Sequence, residues 1–223
     1  MNIQNYLFGA LLGGAILLGG CGQTDPAQQK FQQTKTKAEQ GEATAQTELG
    51  LLYVSGAGIT KDNAEAVKWF RKAAEQNNPV AQFNLAVSYT TGEGVAKNDA
   101  EALTWFRKAA EQNHADAQFN LGVAYAQGGL VPQNLSESVK WLRRAAEQNH
   151  SEAQSKLAYM YAAGAGVGRD PIQAHAWWNV AAGNGDPDAR KNLTTLEKEM
   201  TPPQMNQAVQ LARDFSEKLK QQK

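Results

Sequence analysis

The sequence predicts an all-α fold, a solenoid of stacked helix–turn–helix units, from three observations. The first is a block, Trp69-Phe70-Arg71-Lys72-Ala73-Ala74-Glu75-Gln76-Asn77, that returns from Trp105 to Asn113 and from Trp141 to Asn149. A worn copy, Trp177-Trp178-Asn179-Val180-Ala181-Ala182, follows, and the spacing is 36 residues each time with no insertion. A fixed period of this size marks units that bury their apolar faces against one another. The second is the phased run Ala45, Leu49, Tyr53, repeated at Ala81, Ala117 and Ala153, whose steps of four place all three side chains on one helix face. The third is that every unit carries its own helix start and stop signals.

Composition sets the frame. The 223 residues are 42% hydrophobic and 20% charged, enough to bury a core, and 22 basic residues balance 22 acidic ones. That balance and the lack of a basic stripe argue against a nucleic-acid partner. The one cysteine, Cys21, excludes an intramolecular disulfide and a thiolate metal cage.

At the N-terminus, Leu7 to Leu18 is apolar and about half the ~20 residues of a membrane-spanning helix, so it reads as a secretory signal peptide. Leu18-Gly19-Gly20-Cys21 resembles the lipobox of bacterial lipoproteins. The resemblance implies cleavage before Cys21 and acylation of its thiol and its new amine, which together satisfy the need for more than one acyl chain. With Gly22 rather than Asp after the cysteine, it implies the outer membrane, facing the periplasm; an inner-membrane anchor and a soluble periplasmic form are the alternatives. A free cysteine closing an uncleaved segment is the competing reading of Cys21. Residues 22–30 are expected to be a disordered polar tether.

Each unit opens with the Ala–Leu–Tyr helix, where Gly50, Ala86, Gly122 and Ala158 let the partner helix approach. A glycine turn follows at Gly56-Ala57-Gly58, Gly92-Glu93-Gly94 and Gly164-Ala165-Gly166. In the third unit Leu130 stands in place of the second glycine, which predicts a different backbone path. Asp62, Asn98, Asn134 and Asp170 are expected to cap the second helix, with Glu65, Glu101, Glu137 and Gln173 three residues on as in a capping box. Asn77, Asn113, Asn149 and Gly185 are positioned to end it in the left-handed conformation, and Gly41 shares their phase, so Thr34 to Gln40 is expected to be a half-unit helix. Arg71, Lys72, Glu75 and their copies read as a solvated outer face. After Asp188 the pattern decays, and Thr201-Pro202-Pro203-Gln204 opens a helix whose stripe of Met205, Ala208, Ala212, Phe215 and Leu219 either seals the stack or lies on a membrane surface; sealing is favoured. The expected division is thus a signal peptide (1–20), a lipidated cysteine and tether (21–32), a half-repeat helix (33–44), repeats 45–80, 81–116, 117–152 and 153–188, and C-terminal capping helices (189–223).

The unit Ala-Gln-x-x-Leu-Gly-x-x-Tyr-x-x-Gly-x-Gly-Val…Ala-x-x-Trp-Phe-x-x-Ala-Ala-Glu-Gln is similar to the Sel1-like repeat, a relative of the tetratricopeptide repeat, over residues 45–188. The resemblance implies a right-handed superhelix whose first helices line a concave face, and a non-catalytic platform for an envelope protein or extended peptide; a monomer is expected. A cysteine-rich branch of that family is associated with β-lactams, but its paired cysteines are absent from this chain.

If the first helices line a groove, the residues beside the core leucine face it. One row is Glu48, Asn84, Asn120, Lys156 and Asn192, whose amides suit the backbone of an extended peptide. The other is Thr47, Phe83, Phe119 and Ser155, with the phenylalanines as apolar anchors; alternatively these rings pack between repeats and the asparagines are solvated. A glycan binder in which Trp178 and the tyrosines stack on sugars is a second function, and an enzyme acting on β-lactam or peptidoglycan a third. His114 and His150 recur in equivalent linkers and need no metal, His175 reads as packed, and no nucleophile, cofactor or metal motif stands out.

Overall fold

The computed structural model describes residues 25–221, which form eleven α-helices and no strand. Four helix pairs succeed one another: α2 (Ala43–Ser55) with α3 (Asn63–Glu75), α4 (Pro79–Thr91) with α5 (Asp99–Glu111), α6 (Ala115–Gln127) with α7 (Leu135–Ala146), and α8 (Ser151–Ala163) with α9 (Pro171–Gly183). They are preceded by α1 (Pro26–Glu39) and followed by α10 (Ala189–Glu197) and α11 (Pro202–Lys220). The architecture is the expected α-solenoid. The signal peptide, Cys21 and most of the tether lie outside the described residues.

The first helix corrects the expected boundary. It starts at Pro26 rather than Thr34, because the Asp25 carboxylate accepts the Ala27 N–H at 3.1 Å and the proline occupies the first turn, where its missing N–H costs nothing. Phe31 is buried edge-on against Tyr53 at 5.6 Å. Residues 26–32, assigned to the tether, are therefore part of the stack. The helix ends as predicted at Gly41, with φ +95°.

The repeated helices start and stop where the side chains dictate. Asp62, Asn98, Asn134 and Asp170 each accept the N–H three residues on, at 2.9–3.1 Å. The reciprocal half of the expected capping box does not form in these units. Each cap residue instead donates its own N–H to the carbonyl of Tyr53, Tyr89, Tyr125 or Tyr161, at 2.9–3.0 Å, which ties the second helix to the first. The glutamates so released pair elsewhere: Glu65 with Lys68 (2.7 Å), Glu137 with Lys140 (2.6 Å), and Glu101 with the Trp105 indole N–H (3.1 Å). At the other end Asn77, Asn113 and Asn149 have φ of +63° to +67°, and the N–H that follows each reaches back to the carbonyl of Ala73, Ala109 or Ala145.

Burial follows the predicted face. Leu49, Leu85, Leu121 and Leu157 are fully enclosed, and Ala73, Ala109 and Ala145 let the helices close on them. A Cβ added at Gly50 would stand 2.5 Å from the Phe70 ring, so this position sets how near α3 approaches α2. Gly58, Gly94 and Gly166 lie so close to the first turn of the preceding unit's second helix that a Cβ would meet backbone at 2.1–2.3 Å. The third unit departs as expected: Gly128 ends α6 at ψ −167°, against 15–29° at the other three stops, and Val131 tucks inside.

Two polar rows join the units. Gln46, Gln82, Gln118 and Gln154 are buried at the start of the first helices. Each donates to the end of the preceding helix (Ala38, Ala74, Ala110 and Ala146 carbonyls, 3.0–3.2 Å) and accepts from the end of the following one (Gln76, Gln112, Gln148 and Asn184, 2.7–2.9 Å). The second row lies on the expected outer face, where Arg107 and Arg143 are exposed and Arg71 is half-buried, and adds a partner to each arginine. Arg71 donates to the Tyr89 hydroxyl at 2.7 Å, Arg107 to Tyr125 at 3.0 Å and Arg143 to Tyr161, each bond crossing into the next unit. Lys72 and Lys108 lie 4.1 and 4.0 Å above the rings of Trp69 and Trp105.

The stack is sealed by α11. Ala208, Ala212 and Leu219 are buried, and Phe215 stacks on Trp177 of α9 at 4.2 Å. The apolar stripe is thus used inside the fold, and its membrane-surface reading falls away. None of the described helices is long and apolar enough to cross a membrane.

Candidate functional site: the first-helix face near Tyr159

The groove rows resolve into residues already engaged and residues still free. Thr47 is buried and its hydroxyl donates to the Ala43 carbonyl at 2.9 Å, so it has nothing to offer a ligand. Glu48 is paired with Lys30 at 2.9 Å. Asn84 and Asn120 each donate to the carbonyl one turn back, Val80 and Asp116, at 2.8 Å. Phe83 and Phe119 are the packing residues of the alternative reading: Phe83 stacks on His114 at 4.8 Å and Phe119 on His150 at 4.6 Å, each ring in the next unit's linker.

Those histidines cap helices. The Ala117 N–H donates to His114 Nδ1 at 3.3 Å and the Ala153 N–H to His150 Nδ1 at 3.2 Å, so that Nδ1 is the capping acceptor in each ring. Burial between repeats lowers the pKa of His114, and nearby Asp116 opposes this only in part. His150 Nε2 faces Asp116 Oδ1 at 3.3 Å. His175 is packed, with Nε2 3.2 Å from Glu197 Oε1, the glutamate standing where the other units place tyrosine.

At the C-terminal end two hollows lie side by side. Ser155, Lys156 and Asn192 line a hollow of about 430 Å³ with Asp188 and Gln127, over a floor of Val123, Leu142 and Met160. A second hollow of about 290 Å³ lies over Trp178 and Leu196, bordered by Arg169 and Glu199, which pair at 2.5 Å. Tyr159 and Asn192 belong to both. Tyr159 is 63% exposed, far more than any other large apolar side chain among the described residues. Lys156, Asn192 and the Asp188 carboxylate have no side-chain partner among the described residues.

Tyr159 was absent from the sequence-based rows, although a signal was available. Positions 51, 87, 123 and 159 are 36 apart and hold Leu51, Val87, Val123 and Tyr159, a third row one turn beyond Thr47, Phe83, Phe119 and Ser155. Of the aromatics in the sugar-stacking reading, Trp178, Tyr89 and Tyr161 are buried and Tyr53 and Tyr125 half-buried, three repeat tyrosines hold arginines through their hydroxyls, and Tyr159 is the exposed one. No group of three or more His, Cys, Asp or Glu side chains placed to hold a metal occurs among the described residues.

Comparison with known proteins agrees with this architecture. The Sel1 repeat model matches residues 43–78, 79–114, 115–150 and 151–186, units that begin two residues before those counted from the alanines. A Sel1 repeat protein from Oxalobacter formigenes is 35% identical over 76% of this chain and 50% of its own, with a TM-score of 0.73. A protective antigen present in uropathogenic Escherichia coli strains is 34% identical over 86% of this chain and 49% of its own, with a TM-score of 0.58. This chain therefore spans about half the length of either. An immunity protein from Pseudomonas aeruginosa, 20% identical over 88% of this chain and 74% of its own at a TM-score of 0.52, shares the fold. No curated protein sequence matches. Proteins built of Sel1 repeats are generally non-catalytic scaffolds for protein interaction. By its four matched units, this chain belongs to the Sel1 repeat family.

Proposed function

We propose that this chain is a monomeric, lipid-anchored scaffold of the bacterial cell envelope, facing the periplasm from the outer membrane, that holds an extended segment of a partner protein in its concave groove. The observation that carries the binding role is Tyr159: an aromatic side chain 63% exposed, between two hollows, on the first-helix face of the repeats. An exposed aromatic on a rigid support contributes contact area at low ordering cost, since the surface is already formed before the partner arrives. Around it the rest of the chain is built to hold shape, with caps, left-handed asparagines and glutamine bridges at each joint. The anchor rests on Leu18-Gly19-Gly20-Cys21 and its resemblance to a lipobox.

Affinity capture from envelope extracts tests the binding role, with the wild-type chain and a Tyr159→Ala/Asn192→Ala variant as baits. A discrete partner retained by the first and lost by the second, at equal helicity, supports the groove. A partner held equally by both moves binding to another face. The anchor is tested separately: labelled palmitate is incorporated by the wild-type chain and not by Cys21→Ser, and incorporation by the variant would contradict it.

A further inference from the structure

Along one row of the first-helix face the unengaged polar groups gather at one end. Its rungs run Glu48, Asn84, Asn120, Lys156, Asn192, and the first three are already engaged, by Lys30 and by their own helices' carbonyls. Lys156 and Asn192 are not, and both border the larger hollow. The same end holds both hollows beside Tyr159. Resting on the groove reading above, we infer that recognition is confined to the C-terminal end of this face, around α8 and α10, and that the ligand is an extended peptide with two apolar side chains two residues apart. An acidic and a basic side chain flank that pair on the side of the larger hollow.

The chemistry of the cleft sets each feature. Alternate residues of an extended chain point the same way about 6.6–6.8 Å apart, so two of them can straddle one aromatic ring and enter the hollows on either side of it. The floors are apolar, Val123, Leu142 and Met160 on one side, Trp178 and Leu196 on the other. Asn192 is common to both hollows and carries a donor and an acceptor, which suits the peptide group between the two side chains. The charges differ between the sides. Arg169 and Glu199 neutralise each other at the smaller hollow, which leaves it asking only for apolar bulk. At the larger one Lys156 and Asp188, of opposite sign, have no side-chain partner among the described residues, so a ligand carrying both signs answers both, while one of a single sign meets a repulsion. Lys156 and Tyr159 are one turn apart on α8, so charge and ring are presented together.

A phage-displayed library of random peptides, panned on the immobilised chain, supplies the ligand, and fluorescence anisotropy with the selected peptide measures it. The expected result is enrichment of an apolar–x–apolar pattern flanked by residues of both charges. Tyr159→Ala then weakens binding by about tenfold or more. Lys156→Glu weakens it several-fold and is rescued when the acidic residue of the peptide is changed to lysine. Both residues are exposed, so neither variant loses the fold, and the far-ultraviolet spectrum checks this. Selected peptides that bind equally to Tyr159→Ala but are lost with Leu51→Asp overturn this localisation while leaving a peptide groove in place. No enrichment on the wild-type chain, with soluble peptidoglycan fragments bound at Tyr159 instead, overturns the peptide reading itself.

Discussion

Replacing Gln118 by alanine tests the joints that hold the groove in shape. This side chain is fully buried, donates to the Ala110 carbonyl at 3.0 Å and accepts from Gln148 at 2.7 Å, so it ties the ends of α5 and α7 through the start of α6. The variant loses these two hydrogen bonds, worth about 1 kcal/mol each net, and a long one to Asn113 Oδ1 at 3.5 Å that adds little. It also leaves space between the helices, for roughly 1–2 kcal/mol more, and the sum is about 3–4 kcal/mol. The Ala110 carbonyl keeps the Asn113 N–H at 3.1 Å and Gln148 is exposed to water, so no group is stranded and the loss stays near that figure. With a urea dependence of about 2 kcal/mol per molar, the midpoint of unfolding falls by roughly 1.5–2 M. Gln148→Ala removes only the exposed partner and costs about 1 kcal/mol, and the double variant shows a coupling of about 0.5–1.5 kcal/mol. A midpoint for Gln118→Ala within about 0.25 M of wild type, the size of a surface substitution, would refute the joint reading.

Three further outcomes follow from the joints and turns. Gly94→Ala combines a left-handed residue with a Cβ 2.1 Å from the Asn63 carbonyl oxygen and destabilises by about 2–4 kcal/mol, whereas Gly41→Ala, with no atom within 4 Å, costs about 1 kcal/mol, both read by urea unfolding. His114 titrates lower in the folded chain than its ordinary value of about 6.5, so the unfolded chain takes up the proton first and stability is lost as pH falls below about 6.5. His114→Asn, which keeps a capping oxygen like that of Asn78, flattens this part of the stability–pH profile; an unchanged profile would contradict it. Tyr161→Phe removes the acceptor of the Arg143 bond and lowers stability by about 1–2 kcal/mol, while the same change at Tyr125, a more exposed site, costs less.

The period, caps and left-handed stops were legible in the sequence because each rests on side chains acting on their own backbone. Asp62 caps α3 by accepting from Glu65 N–H, three residues away, whatever surrounds it. Features that depend on the distance between units were not legible. Gln82 and Asn84 are both polar and both on α4, yet one is enclosed between two neighbouring helices and the other sits at the groove. Arg71 looked solvated because Tyr89, its acceptor, belongs to the next unit. The start of α1 carried a readable signal in Asp25-Pro26, masked by the polar run after it, where Phe31 supplies the buried contact. The site was half visible: Lys156 and Asn192 emerge from the period, while Tyr159 breaks the aliphatic pattern of its row and shows its meaning only when the hollows on both sides are seen.

Site-resolved photo-crosslinking in intact cells addresses the binding claim most directly. A photoreactive phenylalanine analogue is placed at position 159 in one chain and, in another, at position 141, where half-buried Trp141 of α7 lines a separate hollow with Lys140 and Arg144. The account predicts a discrete adduct to a partner protein from position 159 and none from position 141. An adduct from 141 alone would place the working surface at α7 and contradict it.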